Sequence, residues 1–352
     1  MKTYINGIGS VSAQNRQEPF ASAFAVNESV NVLPIEKPEY KDYFSPIAAR
    51  RMSKAVKNGI VASAMAIKEA NLEMPGAIIT GTGMGCIEDS DKFLKAIIDN
   101  GEQFLTPTSF IQSTHNTVAA QIALGMECKA YNFTYVNGAV SFESALLDGK
   151  LQIADGEAES VLIGGIDEMT DYTAALFKLA GFIKKDDEGR FPMLGSKTPG
   201  TVFGEGATFF VLENEPKPST YAEVRDVEII NEVDLEVLQL KVFDFLAANG
   251  LSVSDVDLLI TGLNGDIAFS AYYDELTQKQ FAGTPQAYYK HLSGEYNTAS
   301  AFGLYVAANV VKDQHLPELL RSNDVPARAY KNVLLYNQYR GIDHSFTLIS
   351  KA

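Results

Sequence analysis

Residues Asn116–Gly149 read NTVAAQIALGMECKAYNFTYVNGAVSFESALLDG. The stretch opens as a helix and turns into a short strand, Ala130–Val136, rich in aromatic and β-branched residues between Lys129 and Asn137. Asn137-Gly138 then suits a sharp elbow, because this pair tolerates φ > 0 and close backbone approach. A second helix follows, with Val140, Phe142, Ala145 and Leu146 spaced to pack inward. Such an elbow sets its tip against helix N-terminal amides, which stabilise negative charge beside a nucleophile. The tip here is Tyr135-Val136-Asn137, and none of the three is an ordinary acyl-transfer nucleophile.

The rest of the chain repeats this pattern. Residues 3–12 predict an opening strand broken by Gly7 and Gly9, and residues 15–45, with three prolines, predict loop. Pro46–Ala70 has helical spacing at Ile47, Met52, Val56, Ile60, Ala64 and Ile67, and leads to the buried-type strand Ile78-Ile79-Thr80-Gly81. Glu236–Asn249 is again helical, closed by Gly250, and leads to Leu258-Leu259-Ile260-Thr261-Gly262. Tyr288–Val311 repeats strand, elbow and helix, with the elbow at Ser293-Gly294. Each half ends in a strand pair: Val161–Ile163 with Ala207–Leu212, and Val333–Tyr336 with Ser345–Ile349. Two β-α-β halves, residues 1–215 and 216–352, joined through the Pro-rich Glu213–Thr220, predict two sheets stacked with helices between them. The result is a five-layered α/β/α/β/α block.

Composition narrows the function. The chain has 352 residues, 46% of them hydrophobic, enough for a large core. A net charge of −15 argues against nucleic acid, which needs a basic surface. Two cysteines, Cys86 and Cys128, exclude a disulfide framework or a Cys-rich zinc site. No apolar run is long enough to span a bilayer, and MKTYINGIGSVSAQ lacks a signal-peptide core, so a cytoplasmic location is expected. No metal and no cofactor is called for.

Five motifs in order carry a resemblance over nearly the whole chain. They are Gly7-x-Gly9-x-Val11-Ser12, Ala49-Arg50-Arg51-Met52-Ser53, Gly81-Thr82-Gly83-Met84-Gly85, Gly164-Gly165-Ile166-Asp167-Glu168 and Phe203-Gly204-Glu205-Gly206-Ala207. With the duplicated scaffold, they resemble the β-ketoacyl synthases of the thiolase fold. The resemblance implies Claisen condensation, in which an elbow Cys is acylated, two His assist decarboxylation and oxyanion formation, and a Lys supports the electrostatics.

Carried across, the family's Thr-x-Cys falls on Thr134-Tyr135-Val136, so the nucleophile position is Val136. The Lys-x4-His segment falls on Lys290 to Glu295, which keeps the lysine and puts a carboxylate where the histidine belongs. The second histidine loop becomes Gly262-Leu263-Asn264-Gly265-Asp266, and the Gly-Phe-Gly-Gly turn becomes Arg340-Gly341-Ile342-Asp343. This pattern resembles the chain-length-factor subunits, which lack the nucleophile and shape the tunnel in which a chain grows.

Several residues keep two readings. His291 and His344 are candidates to stand in for a lost histidine, or are structural. His115 reads as a polar residue near the pocket or dimer face, or as a capping or surface histidine; His315 reads as solvent-exposed. Phe104, Phe110, Tyr135 and Phe142 read as tunnel or interface residues, or as core. Ser141 and Thr134 read as local hydrogen-bonders, Cys86 and Cys128 as packing, and Asp167 and Glu205 as loop ties. Arg50, Arg51, Lys54 and Lys57 form the best basic patch for an acidic acyl carrier protein.

The function expected is therefore a non-catalytic ketosynthase-like subunit. It would pair with an active ketosynthase, or with a second copy, and serve acyl carrier protein. Two alternatives stay open. One is altered thioester chemistry, such as malonyl decarboxylation, acyl transfer or hydrolysis, through Lys290, His291, His344 and Glu295. The other is a homodimeric acyl-ligand binder.

Overall fold

The computed structural model describes residues 1–14, 20, 22, 24–326 and 329–352. The loop expected over 15–45 falls partly on 15–19, 21 and 23, which lie outside the described residues. The first half runs β1 (Tyr4–Val11), β2 (Val32–Leu33), α1 (Pro46–Ala49), α2 (Lys54–Ala70), β3 (Ala77–Gly81), α3 (Ile87–Asp99), α4 (Pro107–Gln112) and α5 (Thr117–Gly125). It continues with β4 (Tyr131–Tyr135), α6 (Ser141–Ala154), β5 (Ser160–Asp167), α7 (Asp171–Leu179), β6 (Phe203–Gly204) and β7 (Gly206–Glu213). The second half runs β8 (Ala222–Asn231), α8 (Leu235–Ala248), β9 (Leu258–Thr261), α9 (Ser270–Asp274), β10 (Gln286–Tyr288), α10 (Lys290–Ser293), α11 (Ser300–Asp313), β11 (Asn332–Tyr339) and β12 (Asp343–Ser350).

The Gly-x-Gly of β1 exists for packing. A Cβ on Gly7 would lie 2.3 Å from the Ala66 carbonyl, and one on Gly9 would lie 1.9 Å from that of Ala62, so only glycine lets α2 lie directly on the strand. The single helix expected over Pro46–Ala70 is broken into α1 and α2. Ser53 caps α2 by accepting from the Val56 amide, and the buried Glu168 carboxylate takes the Ala55 amide at 2.6 Å. These restart the helix and leave Arg50 and Arg51 in the break.

The strand order is β10-β9-β11-β12-β8-β1-β7-β5-β3-β4. Outward from the central pair, β1-β7-β5-β3-β4 mirrors β8-β12-β11-β9-β10. In each series the inner strands are antiparallel and the outer three parallel. The duplication expected from the sequence is thus present in the topology. The two half-sheets, stacked across α6 and α11, also meet edge to edge through the pairs Tyr4–Glu223 and Ile5–Ala222. The short strap between β7 and β8 forces this. Asn6 Nδ2 donates to Glu213 Oε2 at 2.7 Å and to the Glu215 carbonyl at 2.9 Å, so β8 re-emerges beside β1.

Among the described residues, three large apolar clusters hold the five layers together, the central one filling both sides of the middle helical layer. Helices α6 and α11 form the central layer, where Ala145, Leu146, Phe302 and Val306 pack against strands of both halves. Helices α2 and α5 cover the first half outside, around Val56, Ala62, Val118 and Phe209. Helix α8 covers the second half, around Leu238, Phe245, Tyr336 and Phe346. Each fully buried Leu or Phe contributes about 1.5–3 kcal/mol.

Candidate functional site

The elbow after β4 has the expected shape. Gly138 takes φ 53. Ser141 Oγ donates to the Gly138 carbonyl at 2.7 Å and accepts from the Asn137 amide at 2.8 Å, so its hydroxyl is consumed by the turn. Thr134 and Thr80 share a 2.9 Å hydroxyl contact across β4 and β3. Val136, at the nucleophile position, is 50% exposed. None of Tyr135, Val136 and Asn137 is an ordinary acyl-transfer nucleophile.

The second elbow holds a closed electrostatic cluster. Lys290 Nζ lies 2.7 Å from Glu295 Oε2, with the side chains 0% and 2% exposed. Asn264 Nδ2 donates to the same oxygen at 2.7 Å, and Thr201 Oγ1 holds the Asn264 carbonyl at 2.6 Å. Residues 264, 290 and 295 are thus brought together, and the lysine and glutamate charges cancel internally. A lysine neutralised in this way offers little field to a developing oxyanion.

The loops around the cluster are sewn to one another. Tyr273 Oη donates to the Gly262 carbonyl at 2.6 Å and lies 3.2 Å from that of Gln338. Gln338 Oε1 takes the Gly341 amide at 2.9 Å. Buried Asp167 accepts from Thr82, Gly83, Met84 and Thr298, through both the amide and the hydroxyl of Thr298, at 2.9–3.2 Å. That network ties the Gly-Thr-Gly turn of the first half to the start of α11. Burial pushes the Asp167 carboxyl upward and these donors oppose the shift. Glu205, which binds Lys54 and the Met169 amide, is a loop tie of the same kind.

The two candidate histidines leave the cluster. Along β12, Ser345 and Ile349 face the central layer while His344, Phe346 and Leu348 face outward. His344 accordingly meets Tyr336, with Oη 3.0 Å from Nδ1, and the edge of Tyr272. Strand alternation puts it on the wrong face of the sheet to replace a lost histidine. His291 is buried, stacks on Tyr288 at 3.9 Å, and lines a small cavity with Glu28, Phe191, Met193 and Val202, away from the Lys290 side chain. Burial lowers its pKa to about 4, so it is a neutral imidazole.

The aromatic candidates divide. Phe142 is buried in the core, packed on Phe210 at 5.7 Å. Tyr135 Oη and Tyr131 Oη both donate to Asp148 at 3.2 Å, making a ladder with Phe133 along the edge strand. Tyr131 and Phe133 are 43% and 45% exposed. Phe104 and Phe110 are surface residues; Phe110 leans on Phe93 at 5.3 Å. His115 is exposed beside Gly85, and His315 is exposed as expected. Cys86 is buried, which pushes its thiol to about 12, and Cys128 is half-buried.

The basic patch is smaller than its sequence. Arg50 and Arg51 are exposed, and Lys57 lies 5.7 Å over the Tyr40 ring. Lys54 turns inward, bound to Glu205 at 2.8 Å and to the Met169 carbonyl at 2.6 Å. Sequence reasoning also missed Glu143 of α6, buried and accepting from Ser345 at 2.8 Å, with its pKa raised by burial. An acidic residue within the inward-packing stretch after the elbow was the available signal.

Comparison with known proteins fits this geometry. The family description "Beta-ketoacyl synthase, N-terminal domain" matches residues 6–217, more than half of the chain. A 3-oxoacyl-[acyl-carrier-protein] synthase 2 of Staphylococcus aureus (strain N315) is 22% identical over 183 residues, 49% of this chain and 44% of its own length. The Vibrio cholerae serotype O1 protein of that description is 24% identical over 206 residues, 55% and 48%. The chain thus matches about half the length of these curated relatives. Among solved structures, the ishigamide ketosynthase/chain length factor superposes with TM-score 0.82 at 18% identity, covering 100% of this chain and 99% of that one. A ketosynthase in complex with its chain length factor from Xenorhabdus doucetiae gives 0.78 at 15%, covering 100% and 98%. At such identities the structural likeness establishes the fold, and among the described residues no helix is long and apolar enough to cross a membrane. By its sequence match over the first half and by its fold throughout, the chain belongs to the β-ketoacyl synthase family.

Proposed function

We propose that this chain is a non-catalytic, chain-length-factor-like subunit. It assists an active β-ketoacyl-ACP synthase in fatty-acid, polyketide or aryl-polyene type chain assembly in the cytoplasm. The observation that carries the reading is the pairing of Val136 at the elbow with a Lys290 neutralised by Glu295. The first removes covalent catalysis. The second removes electrostatic help, and losing one oxyanion donor costs about 2.7–4 kcal/mol of transition-state stabilisation.

In this reading the half 1–215 carries the partner surface. The β4 edge with Tyr131 and Phe133, and the surface residues Phe104, Phe110 and His115, face a ketosynthase or a second copy. Arg50 and Arg51, with Lys57, meet acyl carrier protein. The half 216–352 supplies the closed pocket. The test purifies the chain alone and with a candidate ketosynthase, then supplies acyl- and malonyl-carrier protein. Condensation is expected only from the mixed complex, with Val136→Cys adding little. Thioester turnover or carbon dioxide release by the chain alone, abolished by Lys290→Ala, would overturn the reading in favour of altered chemistry.

A further inference from the structure

The turn between β11 and β12 presents a guanidinium that rests on aromatic rings and has no anionic partner among the described residues. Arg340 takes φ 54, a left-handed conformation that L side chains rarely adopt, and Gly341 follows at φ 68. Its Cζ lies 4.0 Å from the Phe182 ring centroid and 5.2 Å from that of Phe269, so two rings hold the planar head. Among the described residues no carboxylate pairs with it and no acceptor takes its N–H groups. By contrast, Lys290, Lys54 and Lys217 each hold a glutamate at 2.7–2.8 Å. The nearest acid in sequence, Asp343, is engaged elsewhere: Asn231 Nδ2 donates to its Oδ1 at 2.8 Å.

We propose that Arg340 is a receptor for an external oxyanion, a phosphate or carboxylate group, carried on an uncharged stem. A guanidinium fork matches such groups with two parallel hydrogen bonds, and the two neighbouring rings hold the head in place before the ligand arrives. Preorganisation of this kind lowers the ordering cost of binding. The stem meets exposed apolar side chains, Ile342 in the same turn and Ile267 beside Phe269. The inference needs no partner subunit and stands or falls separately from the assembly reading.

The test titrates the full chain alone with inorganic phosphate, with acetate, and with chloride at matched ionic strength. The Arg340 Nε–Hε signal and the Gly341 and Ile342 amides are followed by NMR. A saturable response to phosphate or to acetate is expected, and the stronger of the two identifies the anion. Arg340→Lys should weaken it at least tenfold. Arg340→Asn, which tolerates the left-handed backbone, should abolish it with Tm unchanged or raised, while Lys351→Gln leaves it intact. A response equal to that of chloride, or one that survives in Arg340→Asn, would overturn the proposal.

Discussion

At one edge of the sheet, β4 leaves Tyr131 and Phe133 half in solvent and ends at a half-exposed Val136. At the other edge, its counterpart β10 is sealed by its own chain. The Ser322 amide donates to the Gln286 carbonyl, Asn323 Oδ1 takes the Gln286 amide, both at 3.0 Å, and Ala287 bridges Arg321. Beyond β10 lie the buried Lys290 and Glu295. Duplicated elbows have thus become unlike: one open, apolar and uncharged, the other closed, charged and neutralised. An open aromatic edge is a liability for a lone protein and an asset for one that assembles. The closed elbow holds its lysine and glutamate as a buried pair.

The largest effect expected from breaking this contrast is at the closed elbow. Glu295→Ala leaves the buried Lys290 ammonium unpaired and should cost about 3–5 kcal/mol, read from urea unfolding. Lys290→Met with Glu295→Leu should recover most of it; a double variant as unstable as the single would mean that packing, not charge, dominates there. His291, on the outer side of the same one-turn helix, gives the next effect. Its folded pKa, about 4, lies below the ordinary 6.5, so acid favours the unfolded chain. Relative to His291→Phe, the wild type should keep its full stability above pH 6.5. It should lose about 3 kcal/mol as pH falls to 4, by the linkage relation. Parallel pH profiles for the two would remove the buried imidazole from this account.

At the open edge the stability effects should be small and the assembly effects large. Phe133→Asp should change the unfolding free energy of the chain by about 1 kcal/mol or less, as for exposed sites. It should abolish association with the ketosynthase partner by light scattering; undiminished association would move the interface off this edge. Smallest of all, Val136→Cys should shift stability within about 0.5 kcal/mol and leave the condensing rate of the complex unchanged. A reactive thiol that loads acyl groups would show that the elbow lacked nothing but its nucleophile.

Much of the fold was legible because local rules wrote it. Gly7 and Gly9 announce close helix contact, the period of Pro46–Ala70 announces α2, and the repeated strand-elbow-helix announces the duplication. The break at Arg50–Ser53 escaped because the Ala55 amide is taken by Glu168, more than a hundred residues away. Lys54 read as a docking cation because the partner that captures it, Glu205, is equally remote. His344 read as a pocket residue because its place in the turn says nothing of which face the strand presents; β11–β12 register decides that. Phe142 had a helical inward position, and the core took it.

By itself the sequence determined the layer plan and the absence of a thiol at Val136, because periodicity, glycine placement and residue identity at one position are properties of short stretches. Only the tertiary structure decided which charges are spent and which are free. Lys290 is cancelled by Glu295, Lys54 by Glu205, and Arg340 is left to solvent between two rings. It also decided which edge is open. Those outcomes depend on distance and burial between residues that the chain keeps apart, and low-dielectric interiors make such differences worth several kcal/mol where solvent would level them.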